Sequence, residues 1–286
     1  MILVTGAGGK TGRAVVKVLA EKKSEPVCAL VRSQELAPVL TRLGADQIVI
    51  GDMCDPLFMS KIFAGMRVVY HICPNMSPDE QQMAENTIKA GVSAGLEQFV
   101  YHSVLHPQAE AMPHHWQKMR VEERLFASRL PFTILQPAAY MQNILAYWES
   151  ISQHGIYPVP YALTARLSIV DLEDVAEVAS RVILRPGHLG AIYELAGPEP
   201  LSQIEVAKII ADKLGRPVEA RQTDRIEWEK IVRSARMDPS TIETLLNMFV
   251  YYENYGLVGN PNVLEWLLDR PAHHFASFVE SIIQGV

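Results

Sequence analysis

Long apolar runs are absent from this chain of 286 residues. No window approaches the roughly 18 uninterrupted apolar residues of a membrane-spanning helix, which excludes a helical membrane protein. Basic stretches are absent too. Lys and Arg number 26 against 32 Asp and Glu, a formal net charge of −6, and they nowhere cluster. A duplex-binding protein needs clustered cations to displace the counterions on phosphates, so nucleic acid is not expected as a direct partner. Cysteine is scarce. Cys28, Cys54 and Cys73 show no Cys-x-x-Cys spacing, so neither a disulfide frame nor a zinc site is expected and the thiols should be reduced. His102, His106, His114 and His115 fall close together. Without a carboxylate or cysteine at ligand spacing, no metal is expected there. No leader stands before the first apolar run: Met1 passes straight into Ile2-Leu3-Val4 and a glycine turn. A cytoplasmic protein is the expectation.

What is present is a globular composition. Hydrophobic residues make up 49% and charged residues 20%, enough to bury a sizeable core. The length suits one large domain or two coupled ones. Short β-branched runs alternate with helical stretches in the first half. Strands are expected at Ile2–Thr5, Val27–Val31, Gln47–Ile50, Arg67–Ile72, Gln98–His102 and Pro131–Leu135. Between them, Lys10–Lys23 and Ser77–Ala94 have helical spacing. Such alternation implies βαβ units and a parallel sheet. Beyond about Tyr140 the pattern loosens. Ser168–Val170 and Ile192–Leu195 read as strands that either rejoin the first sheet or stay outside it, and Asp171 as the cap of a helix over Leu172–Leu184. From Ser202 on, the chain is mostly helical. The expected fold class is α/β: a Rossmann-type doubly wound parallel sheet over 1–155, with a smaller helix-rich C-terminal lobe over 156–286.

The turn after the first strand reads Thr5-Gly6-Ala7-Gly8-Gly9-Lys10-Thr11-Gly12. Glycines spaced this way make the tight turn, let a pyrophosphate approach the backbone and let the helix pack close to the strand. The helix that follows aims its N–H groups at the phosphates. A strand before and an amphipathic helix after supply the context that a lone glycine pattern lacks. Gly6 through Gly12 are therefore expected to bind a dinucleotide. The second strand ends Ala29-Leu30-Val31-Arg32-Ser33, with no acid to hold a ribose diol. Arg32 is suited to a 2′-phosphate, so NADP(H) is favoured over NAD(H). Asp52, after the third strand, either accepts from the adenine amino group or simply makes a Gly-Asp turn.

These residues carry a resemblance. With Lys118-Met-Arg-Val-Glu-Glu-Arg-Leu, Pro131-Phe-Thr-Ile-Leu-Gln-Pro137, Tyr140-Met-Gln-Asn143 and Val170-Asp-Leu-Glu-Asp-Val-Ala176, the chain resembles the NmrA-like branch of the atypical short-chain dehydrogenase/reductase superfamily over nearly its whole length. The resemblance implies an NADP-binding Rossmann domain with a small substrate lobe. It implies that Asp52 and Met53 flank adenine, that Cys73 and Pro74 run along the pyrophosphate and ribose, that Lys118 bonds the nicotinamide ribose, and that Pro137, Ala138 and Tyr140 lie beside the nicotinamide. Tyr140 and Asn143 would meet substrate.

One departure bears on chemistry. Short-chain dehydrogenases carry Tyr-x-x-x-Lys, tyrosine and lysine sharing one helix face. Here the residue four before Lys118 is His114. Three groups remain as candidates for the chemistry: Lys118, Ser103 just past the fifth strand, and His114, which titrates near neutral pH. The plainer alternatives are a Lys118–Glu122 pair on a solvated helix, a helix-start role for His114 after Pro113, and core packing for Tyr140. Two functions are consistent with this pattern. One is an NADPH-dependent reductase of a small hydrophobic electrophile such as a quinone, enone or imine. The other is a non-catalytic NADP(H) sensor that binds a regulatory protein partner and signals by moving its C-terminal lobe; a homodimer is consistent with either. The missing tyrosine weakens an alcohol dehydrogenase more than a quinone or imine reductase, because the cofactor does the hard step.

Overall fold

In the computed structural model of the chain, which describes residues 1–285, the run Ile2–Val4 forms β1, fully buried. Continuous apolar strands belong in a parallel sheet covered on both faces. Helix α1 (Lys10–Lys22) follows and buries Val15, Val16 and Leu19 along one stripe. Next come β2 (Val27–Val31), α2 (Ala37–Arg42), β3 (Gln47–Ile50) and α3 (Pro56–Ile62). Asp55 caps α3 by accepting from the N–H groups of Leu57 and Phe58, with Pro56 at the first helical position. Then follow β4 (Val68–His71), α4 (Glu80–Ala94), β5 (Gln98–His102), α5 (Pro113–Ala127) and β6 (Phe132–Pro137). Helix α4 starts three residues later than Ser77, because the Ser77 hydroxyl and carbonyl turn the chain by accepting from the N–H groups of Asp79 and Glu80.

The rest of the chain gives β7 (Ala139–Tyr140), α6 (Trp148–His154), β8 (Ile156–Val159), β9 (Arg166–Val170), α7 (Leu172–Leu184), β10 (Ala191–Leu195) and β11 (Pro200–Ser202). It closes with α8 (Gln203–Leu214), β12 (Glu219–Gln222), α9 (Arg225–Ser234), α10 (Pro239–Tyr255), α11 (Asn262–Leu268) and α12 (Phe275–Gln284). Asp171 does cap α7, accepting from Glu173 N–H at 3.0 Å. No helix among the described residues is long and apolar enough to cross a membrane.

The main sheet has seven strands in the order β10-β6-β5-β4-β1-β2-β3, a doubly wound Rossmann arrangement. The order reverses between β1 and β4, which pair in parallel through Ile2–Val68, Leu3–Val69 and Val4–Tyr70. In such sheets ligands bind outside the carboxyl ends of the strands, at this reversal. The strand near 193, β10, joins the sheet edge. The strand near 168 does not: β9 pairs with β7 and β11 in a separate three-stranded sheet. A short run such as Ser168–Val170 specifies a strand but not its neighbour, and β9 pairs in parallel with the two-residue β7 that follows β6.

Two compact units result, and they interleave along the chain. The first comprises 1–108, 114–136 and 175–193; the second comprises 109–113, 137–174 and 194–286. A single cut at 155 does not describe them, since α7 and β10 return to the first unit after the excursion of 137–174. The second unit has its own aromatic core. Trp228 meets Phe249 edge-on at 4.9 Å, and Tyr161 packs on Phe249 and Tyr252. In the same unit Asp174 is buried and accepts from Arg270 Nη2 at 2.8 Å and from His273 N–H at 2.7 Å.

Candidate active site

The glycine turn is built as its spacing implies. Gly6 sits at φ +56°, and a Cβ there would come within 2.6 Å of the Ile72 carbonyl oxygen at the end of β4. A Cβ on Gly12 would stand 2.4 Å from the Gly6 oxygen and 2.6 Å from Ala7 Cα. Helix and turn touch through bare backbone. Gly9 differs: its Cβ would find no protein atom closer than 3.5 Å, and the residue is exposed. The turn therefore offers open backbone to solvent at Gly9, at the start of α1, whose first turn holds no acid. Unsatisfied N–H groups and the positive end of the helix dipole suit an anion there. A dinucleotide pyrophosphate fits this cradle. Gly12→Ala is expected to lower stability by about 1–3 kcal/mol, the usual range for overpacking, and to abolish dinucleotide binding. Urea unfolding with a binding titration checks it; an unaffected Kd would sink the close-packing role.

Arg32 is exposed just beyond β2, and Ser33 Oγ accepts from Glu35 N–H at 3.3 Å to turn the chain. Asp52 accepts from Cys54 N–H at 2.9 Å, the Gly-Asp turn that the sequence left open beside the adenine role. Met53 is buried, and its carbonyl accepts from Asn86 Nδ2 at 2.9 Å. Cys73 follows β4 with its thiol turned inward, 3.4 Å from His71 Nε2 and 3.8 Å from the Glu80 carbonyl. Burial pushes this thiol well above its ordinary pKa. Only the backbone of Cys73, and the half-buried Pro74, are available to line a ligand.

Lys118 is buried, not solvated. Its Nζ donates to Glu80 Oε1 at 3.0 Å and to the His102 carbonyl at 3.4 Å, and it stands 5.5 Å from the Tyr101 ring centroid. Tyr101 Oη donates to the same Glu80 oxygen at 2.9 Å. The partner of Lys118 is therefore Glu80 on α4, and no direct Lys118–Glu122 pair forms. A buried ammonium and a buried carboxylate compensate each other's lost hydration. Glu80 and Tyr101 carry no local sign of this in the sequence: an acid opening a helix ordinarily complements the helix dipole, and Tyr101 lies in an apolar strand.

Ser103 and Glu122 form the adjoining cluster. Ser103 Oγ lies 2.5 Å from Glu122 Oε1, and Gln136 Nε2 donates to both carboxyl oxygens at 2.9 and 3.1 Å. Burial raises the Glu122 pKa, against the pull of Ser103, Gln136 and the Lys118 charge. His114 does not join either cluster in a form suited to proton donation. Burial, then the charges of His115 and Lys118, push it down to about 3. Its Nδ1 is buried without a hydrogen-bond partner, and its ring stacks edge-on against His115 at 4.5 Å. At neutral pH it is uncharged and has no proton to spare.

The remaining candidates belong to the second unit. Pro137 ends β6, Ala138 donates its N–H to the Leu195 carbonyl at 3.0 Å, Tyr140 is half-buried on β7 paired with Val170, and Asn143 is exposed.

Comparison with known proteins agrees with this architecture. Residues 1–280 match the model of the NmrA-like family. The NAD(P)H azoreductase of Xenophilus azovorans is 29% identical over 286 residues, covering 98% of this chain and 97% of its own. The NADPH-dependent quinone oxidoreductase of Escherichia coli, solved with NADPH, superposes with a TM-score of 0.87 at 24% identity, covering 99% of this chain and 100% of that one. The triphenylmethane reductase of a Citrobacter species, solved with NADP(H), gives 0.85 at 21% identity over 100% of both chains.

Proposed function

This chain belongs to the NmrA-like family, and we propose that it is an NADPH-dependent reductase delivering hydride to a small hydrophobic electrophile: a quinone, an enone, an imine or a similar acceptor. The observation that carries this reading is the buried Lys118, held by Glu80 and by the His102 carbonyl at the end of β5, in a unit whose glycine turn leaves Gly9 open. A full-length relative named as an NAD(P)H azoreductase supports it. Bound NADPH would supply the hydride. The protein's part is to hold and orient: Gly6–Gly12 take the pyrophosphate, Arg32 the 2′-phosphate, and Lys118 the nicotinamide ribose.

The test is NADPH oxidation by the pure protein, followed optically with quinones, enones, imines, aldehydes and triarylmethane dyes. Turnover with one class, lost in Lys118→Ala, is the expected result. Tight NADPH binding without oxidation of any acceptor would overturn the reading in favour of a cofactor sensor.

Arg32→Ala should weaken NADPH by about 1.5–3 kcal/mol, the worth of a charge-assisted hydrogen bond, and leave NADH nearly unchanged. Titrations with both cofactors decide it: equal losses would remove Arg32 from the 2′-phosphate.

A further inference from the structure

The two buried carboxyl groups beside Lys118 are set up differently. Glu80 is ion-paired with Lys118. Glu122, one helical turn beyond Lys118 on the same face of α5, is 2% exposed and has no ion-pair partner among the described residues. Its oxygens meet only a serine hydroxyl and a glutamine amide. Two carboxyls in contrasting environments divide the acid and base roles between them.

We propose that Glu122 stores a proton and hands it through Ser103 to the reduced acceptor, in place of the tyrosine that this chain lacks. This rests on the reductase reading. An ionised Glu122 can only accept, so the serine hydrogen would point inward. A protonated Glu122 donates to the Oγ of Ser103, itself 2% exposed, and frees the serine hydrogen for another acceptor, while Gln136 donates to the carboxyl in either state. Burial, which favours the neutral acid, agrees.

The step balances. Hydride adds to the acceptor, and the displaced π pair becomes a lone pair on its oxygen or nitrogen. That atom takes the hydrogen of Ser103 Oγ–H. Oγ takes the Glu122 proton, and the carboxylate left behind recovers a proton from water before the next turnover. NADPH is oxidised to NADP⁺, and the acceptor gains two electrons, one hydride hydrogen and one proton. Glu122 acts through Ser103 and is a positioning residue.

The chemistry supplies its own control. A quinone or enone needs this proton. A cationic triarylmethane dye does not, because hydride addition alone gives the neutral product. Glu122→Gln keeps an oxygen to accept from Ser103 and removes the proton. It should lower the quinone-to-dye ratio of rates by about 100-fold, within the range for general acid catalysis. It should also remove the fall in quinone rate that the parent shows as pH rises. Ser103→Ala should lower the ratio similarly, and the double variant no further, since the pair acts as a unit. Independently of turnover, infrared spectra of the parent at neutral pH should show a protonated carboxyl stretch that Glu122→Gln lacks. An unmoved ratio, or an infrared band absent in the parent, overturns the hand-over. Parent protein that reduces no acceptor at all overturns the reductase reading itself.

Discussion

Lys118→Met should lower the unfolding free energy by about 3–5 kcal/mol at neutral pH, the usual cost of leaving one member of a buried ion pair without its partner. The loss comes from Glu80, which is 3% exposed and would keep only Tyr101 as a donor to its Oε1. Pairing Lys118→Met with Glu80→Gln should restore most of the lost stability, because a neutral amide needs no counter-charge. On the proposed reductase reading, turnover should stay absent in the double variant, since the ammonium proposed to hold the nicotinamide ribose is still missing. Urea unfolding, with NADPH oxidation on the same samples, separates the two roles. A double variant as unstable as the single one would show that Glu80 and Lys118 do not depend on each other.

The second large effect is acid instability starting only slightly below neutral pH. His71 is wholly buried, with Nδ1 3.1 Å from Thr5 Oγ1 and its ring against those of Phe99 and Tyr101. His102 is also buried and shares a 2.5 Å hydrogen bond with Tyr70 Oη. Burial first, and the Lys118 charge second, push each imidazole down to about 3. Unfolded histidine titrates near 6.5. The folded pKa lies below the unfolded one, so the stability these groups contribute is complete above about pH 6.5 and is lost as pH falls from there toward 3. Each group gives a slope of about 1.4 kcal/mol per pH unit, and the two together about 3. Urea midpoints measured from about pH 7.5 down to about 5.5 should fall steeply below 6.5. His71→Asn with His102→Asn should roughly halve the slope, because buried His114 and His115, pushed down to about 3 and about 4, keep the rest. A slope unchanged in that variant would assign the acid loss to other groups.

How far the sequence reached depends on how local each feature is. The glycine turn and the strands of the first half are written in consecutive residues, and the structure has them where the pattern places them. Spacing also puts Lys118 and Glu122 on one face of α5. It does not say that this face is buried, because that depends on α4 and on β4 to β6, tens of residues away. Hence spacing alone leaves open a Lys118–Glu122 pair on a solvated helix, while the folded chain gives each residue its own buried partners. Glu80 was illegible for the same reason. His114 has the right spacing from Lys118 but the wrong surroundings: burial drains its proton, a property of its neighbours and not of its position. The strand at 166–170 was legible as a strand, yet its sheet was decided by β7, a two-residue element too short to leave a pattern.

The order in which the ribosome delivers this chain has a consequence for its synthesis. Strand β6 is complete once residue 137 is made, but its outer neighbour β10 begins only at 191, with 137–174 of the other unit in between. At roughly 5–20 residues per second, the nascent sheet spends seconds with β6 as a bare edge, ready to pair with another nascent chain. A message that slows translation between codons 137 and 191 should therefore lower the yield of properly assembled protein, with no change in the sequence itself.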